Sequence, residues 1–392
     1  MAFTIVRSQA DLSKLVPCGS SSAYLENLNG CAEVGNWDFR NGIYGDNYAR
    51  KAIERGMKVI LTFKNASWNC YPGAPEDEET VPHDFRVWQD MLTKLINHYQ
   101  GGIAYLELYN EVDRDPQFRV EGSPYTRKEG YQMVLRHAAR AIDNSQYPDT
   151  PFGSPAAALI GAEQVKWMLE DDEIRHKVDL ITFHDYDNPE YPAQAVDTYQ
   201  NLMEEYGRDD LKIIRTSFVP EYERNLKLPG TLYPAPIARH LAGALKDGLL
   251  AMGLWEIQNK TDENDVRYWF DGDSVVATAD LYRILSLEAG LGKGPSEIFA
   301  TNSPDFTDIL AARNEAGELI IMIPADYDNQ GLEVMLEINN LPFQNDVVAI
   351  QYQVGLNATV KNIRKLKGTN GQHRADLTIP DQAVLILQIK PN

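Results

Sequence analysis

The sequence predicts an α/β fold in two domains. Residues 1–292 read as a (β/α)8 TIM barrel, complete or lacking its first strand, and residues 293–392 as an all-β sandwich. Three observations carry this. Short apolar runs alternate with amphipathic stretches to about residue 290, the pattern of parallel strands joined by crossover helices. No glycine-rich phosphate loop follows an early strand, which favours a barrel over a dinucleotide-binding sheet. At GLGKGPSE (290–297), a linker by composition, the helical pattern stops and short strand runs take over.

The elements follow in order. FTIV (3–6) is the first strand, and a long loop-like region, CGSSSAYLENLNGCAEVGNWDF (18–39), comes after it. A helix over 47–56 leads to the strand KVILTF (58–63). The helix 84–102 stops on two glycines and feeds IAYLELY (103–109). Helices over 126–143, 163–175, 192–207 and 236–248 alternate with the strands PFGSP (151–155), DLITFH (179–184), KIIRTS (212–217) and LLAMGLWE (249–256). That gives seven strands, so either one lies within residues 18–40 or the chain begins at the second strand. In the second case a sheet edge is left to be covered, and a homo-oligomer is expected. The sandwich strands fall at 308–314, 318–325, 332–339, 347–354, 358–366, 374–380 and 383–390, separated by turns such as NEAG, DYDNQG and GTNGQ.

Composition narrows the chemistry. The 392 residues carry 37 Lys and Arg against 57 Asp and Glu, a formal charge of −20, which repels nucleic acid. No run approaches the roughly 18 apolar residues of a membrane span. A neutral partner rich in hydroxyls suits the 20 Tyr and 6 Trp, whose rings pack on the C–H faces of sugars. Three cysteines, an odd and small number, argue against a disulfide scaffold, although the spacing allows one bridge between Cys18 and Cys31. No Cys/His cluster has metal-ligand spacing, so neither a metal nor a cofactor is expected. The start, MAFTIVRSQADLS, lacks the charged-then-apolar pattern of a signal peptide.

IAYLELYNEVDRD (103–115) is the most informative stretch. A strand ends on Asn110 and Glu111, the place where barrels carry their catalytic groups. A glutamate there can act as a general acid, and the preceding asparagine can reach a sugar hydroxyl. Glu107, four residues back, lies on the same side and deeper. The plainer alternative is that Asn-Glu caps a following helix.

YLELYNEV resembles the fourth-strand motif of glycoside hydrolase clan A, in the form seen in family 39 and its relatives. The resemblance implies that Glu111 is the acid/base of a retaining glycosidase, that Asn110 contacts the sugar and that Glu107 supports them. TIVR is similar to the clan's second strand, which brings Arg7 to the site and implies that the first strand is absent. ITFHDY resembles the sixth strand, with His184 and Tyr186, and GLLAMGLWE the eighth, with Trp255 as a sugar platform. Trp68, after the third strand of the clan, is a further subsite candidate. A trailing sandwich is also typical of family 39.

The same resemblance places a nucleophilic glutamate at the end of IIRTSF, where this chain has Ser217. A serine hydroxyl is a poor nucleophile without an adjacent base. Three readings stay open: a serine put in place of a natural glutamate; a native serine with Glu221 folding back to serve; or a native serine in a protein that binds carbohydrate and turns it over weakly or not at all. Glu221 and Glu223 also fit a solvated loop. An unrelated barrel lyase or aldolase would need a metal or a Schiff-base lysine, for which Lys64 is the only convenient residue and lacks partners in the pattern.

Overall fold

The computed structural model describes residues 5–43, 50, 53–54, 58–185, 191–218, 234–249, 251–254, 270–271, 274–275, 277–291, 296–299, 309–325, 332–339, 347–355 and 358–390. Contacts divide the chain into two compact units, one of residues 4–185 and 193–217, the other of residues 1–3, 186–192 and 218–392.

The first unit holds six strands, β1 (Ile5–Ala10), β2 (Lys58–Phe63), β3 (Ile103–Leu108), β4 (Phe152–Ala157), β5 (Leu180–Asp185) and β6 (Lys212–Phe218), which neighbour one another in chain order. The pairs from β1 to β5 are parallel, with Gln9 beside Thr62 and Thr62 beside Glu107. Three short helices, α1 (Leu12–Leu15), α2 (Ser21–Leu25) and α3 (Phe39–Gly42), follow β1. The crossovers are α4 (Phe85–His98), α5 (Arg127–Asp143), α6 (Ala162–Glu170) and α7 (Tyr191–Glu205). The expected helix over 47–56 falls largely outside the described residues.

Strand β2 shows why such runs read as continuous apolar stretches: five of its six residues are buried, so both faces are covered. Phe63 meets Trp88 of α4 edge-on at 5.2 Å, while Thr62 points to the other face. Likewise Phe183 of β5 packs on Tyr199 of α7. The helices begin where the sequence supplies caps. Asp84 accepts from the backbone N–H groups of Arg86 and Val87, and Thr126 and Glu129 form a reciprocal capping box. Gly153 lets β4 approach β5, since a Cβ there would lie 2.5 Å from Leu180 Cβ. Strand β1 runs to Ala10, beyond the expected end at Val6, because Arg7 and Gln9 face polar partners inside the sheet. Cys18 and Cys31 form the one bridge their spacing allows, with Cα atoms 5.3 Å apart, and Cys70 is a free thiol.

The second unit contains α8 (Pro234–Lys246), β7 (Ala251–Leu254), the short antiparallel pair β8 (Phe270–Asp271) and β9 (Ser274–Val275), and α9 (Ala277–Arg283), which continues into a single π turn over 284–288. The last eight strands are β10 (Glu297–Phe299), β11 (Leu310–Arg313), β12 (Leu319–Pro324), β13 (Leu332–Ile338), β14 (Val347–Val354), β15 (Thr359–Thr369), β16 (Gln372–Ile379) and β17 (Val384–Ile389). They form one sheet in the order β10-β11-β12-β17-β14-β15-β16-β13. Alternation assigns its faces. Val384 and Ile386 of β17 pack with Leu241 of α8 and Leu285, whereas Leu385, Leu387 and Ile389 pack with Ala375, Leu377 and Ile379 of β16. Strands three places apart in the order share the second core, so the sheet curls over itself as a sandwich does. Strand β10 lies at the end of the expected linker, and Leu291 at its start is buried in the helix-side core.

Candidate active site

The site is built around Glu107 on β3. Its carboxylate is fully buried and accepts from three other strands: Arg7 Nη2 at 2.6 Å and Nε at 2.8 Å from β1, Thr62 Oγ1 at 2.9 Å from β2, and Thr216 Oγ1 at 2.6 Å from β6. In a flat sheet β3 and β6 would stand about 14 Å apart, three strand spacings. A direct side-chain bond between them therefore requires a strongly curled sheet, with Arg7, Thr62, Glu107 and Thr216 on its concave face. Burial pushes the Glu107 carboxyl up, but the charge of Arg7 and the hydrogen bonds from Thr216 and Arg7 outweigh it and hold it below its ordinary value.

Arg7 Nη2 also donates to Asn110 Oδ1 at 2.9 Å, which fixes the first turn beyond β3. The next residue is Glu111. Its backbone N–H donates to Ala156 O at 3.0 Å, and Tyr109 N–H donates to Phe63 O at 3.1 Å. Three non-glycine residues here adopt left-handed backbone: Tyr109 (φ +62°), Glu111 (φ +52°) and Ala156 (φ +51°). Such conformations cost about 1–3 kcal/mol each and persist where the surroundings over-determine them. Tyr109 is pinned by its buried hydroxyl, which donates to Thr80 O at 2.7 Å. The strain re-aims the chain so that the Glu111 side chain, 13% exposed, meets His184 of β5.

His184 is fully buried, and its Nδ1 lies 3.1 Å from Glu111 Oε1. Burial, against the opposing bond to Glu111, pulls the imidazole below its ordinary pKa, so it is neutral at pH 7 with Nδ1–H donating to the carboxylate. Burial also pushes Glu111 up, but the His184 bond and the charges of Arg114 and Arg7 leave it lowered. Arg114 Nη1 stands 3.8 Å from Glu111 Oε2. The arrangement is an ionised, oriented, partly open carboxylate above a rigid buried one.

Of the residues singled out in the sequence, Arg7, Asn110, Glu111 and His184 are thus brought together around Glu107. Trp68 stacks on Tyr24 of α2, with ring centroids 6.3 Å apart, and its loop is tied down by Ser13 and Ser21. Ser217 is buried on β6. Tyr186, Glu221 and Trp255 lie outside the described residues. Sequence reasoning did not find Thr62 and Thr216. Their only signal is a polar residue at an inner position of a buried strand. Among the described residues no group of His, Cys, Asp and Glu has a metal-binding arrangement, and no helix is long and apolar enough to cross a membrane.

No protein-family model and no curated protein matches the sequence. Solved structures match along nearly its whole length. A glucosidase from Croceicoccus marinus aligns with a TM-score of 0.69 at 14% identity, covering 99% of this chain and 89% of that one. A glycoside hydrolase family 30 subfamily 8 xylanase from Clostridium acetobutylicum gives 0.65 at 16% identity, with coverages of 99% and 89%. The chain therefore has the fold of glycoside hydrolases. A family 39 enzyme from Xanthomonas axonopodis pv. citri gives 0.59 at 12% identity, covering 100% and 98%, so the family whose motif YLELYNEV resembles is among those that share the fold.

Proposed function

We propose that the chain is a glycosidase that cleaves β-linked sugars with retention, with Glu111 as acid/base. The observation that carries this reading is the Glu111 carboxylate itself, held on a strained turn at the end of β3, oriented by buried His184 and underlain by the Arg7–Glu107 pair. The solved glycoside hydrolases of the same fold support it. The curl of the six-stranded sheet supports a barrel. Asn110 spends its carbonyl on Arg7, which leaves its amide N–H groups for a sugar hydroxyl.

A retaining reaction needs a second carboxyl group about 5–5.5 Å from the first. We assign it to the segment beginning at the end of β6, where Ser217 holds the aligned position and Glu221 is the first carboxylate that follows. A carboxylate there would also raise Glu111 by like-charge repulsion and so suit it to protonate a leaving group. Two observations favour a second reading, a carbohydrate-binding protein without turnover: Glu111 is held ionised, and a serine occupies the nucleophile's place. Hydrolysis gained on Ser217→Glu would reject that second reading.

The acid role is tested with Glu111→Gln. Activity should fall about 100-fold or more on glycosides with poor leaving groups and far less on 4-nitrophenyl glycosides, which depart without a proton. Equal losses on both would reject Glu111 as the acid.

A further inference from the structure

Beside the Glu107 network lies a second polar cluster that the proposed reaction does not use. Gln9 and Lys64 each stand two residues beyond a member of that network, Arg7 on β1 and Thr62 on β2. By alternation they share its concave face, one step nearer the C-terminal ends of the strands. Lys64 Nζ is bonded to Glu79 Oε1 at 2.6 Å and to Glu78 Oε1 at 3.1 Å, and Gln9 Nε2 donates to the same Glu78 oxygen at 3.2 Å. Lys64 is 4% exposed, Glu79 15% and Glu78 30%. The second oxygen of Glu79 is buried and has no hydrogen-bond partner among the described residues.

Anchoring of the 71–80 loop is a poor explanation for this cluster. Apolar residues of similar volume would hold the loop as well or better than a buried ion pair with a carboxylate to spare. The grouping is also self-opposed: Asp77, Glu78 and Glu79 are consecutive, with Lys64 facing them from the end of β2 and Arg119 holding Asp77 at 2.6 Å. Burial, with Glu78 and Asp77 beside it, pushes the Glu79 carboxyl up to about 7 against the pull of Lys64. The register pairs Phe63, next to Lys64, with Leu108, three residues before Glu111.

We propose that Lys64 and Glu79, with Glu78 and Gln9, read the hydroxyl pattern of the sugar held at Glu111. An ammonium beside a carboxylate matches a vicinal diol. Lys64 donates to one sugar oxygen, and a carboxylate accepts from the hydroxyl next to it. The ligand is a neutral pyranoside with two adjacent free hydroxyls on the ring edge facing β1 and β2. This assignment rests on the glycosidase reading for its substrate class and not for its geometry.

The test uses Glu79→Gln and Lys64→Met in the full chain, with folding checked by circular dichroism. The probes are 4-nitrophenyl β-D-xylopyranoside and β-D-glucopyranoside and their monodeoxy analogues, followed by both kcat/KM and calorimetric Kd. A site built to bond a hydroxyl rejects the analogue lacking it, so the wild type should prefer one parent sugar over one deoxy analogue by about 100-fold or more. In either variant that ratio should collapse toward one, because the partner group is gone. Should Lys64→Met not fold, the isosteric Glu79→Gln decides. Hydrolysis with an unchanged parent-to-deoxy ratio in the variants overturns the proposal and leaves the glycosidase reading standing. Binding without hydrolysis, with the ratio collapsing, supports the proposal and removes the glycosidase reading. Neither binding nor hydrolysis overturns both.

Discussion

At the scale of single residues, two carboxylates show how environment decides ionisation. Glu107 has no solvent and four donor contacts, from Arg7, Thr62 and Thr216, and stays ionised because Arg7 is beside it. Removing one member of such a pair leaves an uncompensated buried charge and costs about 3–5 kcal/mol. Arg7→Ala should lower unfolding stability by that order in urea titrations at pH 7. The pH dependence should change as well. A lowered carboxyl stabilises the fold above its unfolded value near 4.5 and loses that contribution as pH falls through its folded value. Without Arg7, burial raises Glu107, so the variant should gain stability on acidification where the wild type loses it. Glu79 already behaves in the second way. Raised to about 7, it contributes stability fully below about 4.5 that is lost as pH rises through 7. Glu79→Gln should therefore remove a downward slope in stability between pH 5 and 8, and a variant with the wild-type slope would exclude this carboxyl as its source. Glu111 and Asn110 were legible because an acidic residue after an apolar strand is conspicuous. Thr62 and Thr216 were not, because a threonine inside a β-branched strand is ordinary until its hydroxyl is seen bonded to a residue 45 or 109 positions away.

At the scale of elements, the long periodic helices and the buried strands were readable because burial on both faces leaves an apolar run with sharp ends. Strand β1 was under-read. Arg7 and Gln9 look like the end of a strand, and only the partners Glu107 and Glu78 make an inward-facing cation and amide tolerable. The segment after β1 reads as a loop in the sequence, and its order comes from one internal bridge and from bonds to α4. The Cys18–Cys31 bridge closes it, Tyr24 of α2 donates to Asp90 of α4 at 2.7 Å, and Lys94 caps Ala32 O at 2.8 Å. A bridge closing a loop of this length is worth about 3 kcal/mol through the unfolded chain. The double variant Cys18→Ser, Cys31→Ser should lose roughly that much in chemical denaturation. It should also quench or shift the fluorescence of Trp68, which stacks on Tyr24. No change in either would mean that α4 alone orders the segment.

At the scale of the whole chain, fold class was legible from the change of periodicity near residue 290, since helix and strand periods cannot be confused over such lengths. The curl of the six-stranded sheet was not, because it is recorded only in bonds between strands that are not neighbours. Those bonds bear on how the protein is made. The donors to Glu107 lie 100 and 45 residues before it and 109 residues after it. Contacts so distant in sequence are closed late and at high loop entropy, which slows folding. A nascent chain that has emerged only through β3 already contains Arg7 and Thr62 but lacks Thr216, so Glu107 has a counter-ion before it has its full shell. Folding should accordingly be gated by the arrival of β6. In pulse-labelled hydrogen exchange during refolding, the amides of β1 to β3 should become protected together with those of β6, and early, independent protection of β1 to β3 would show that the carboxylate does not set the order of assembly.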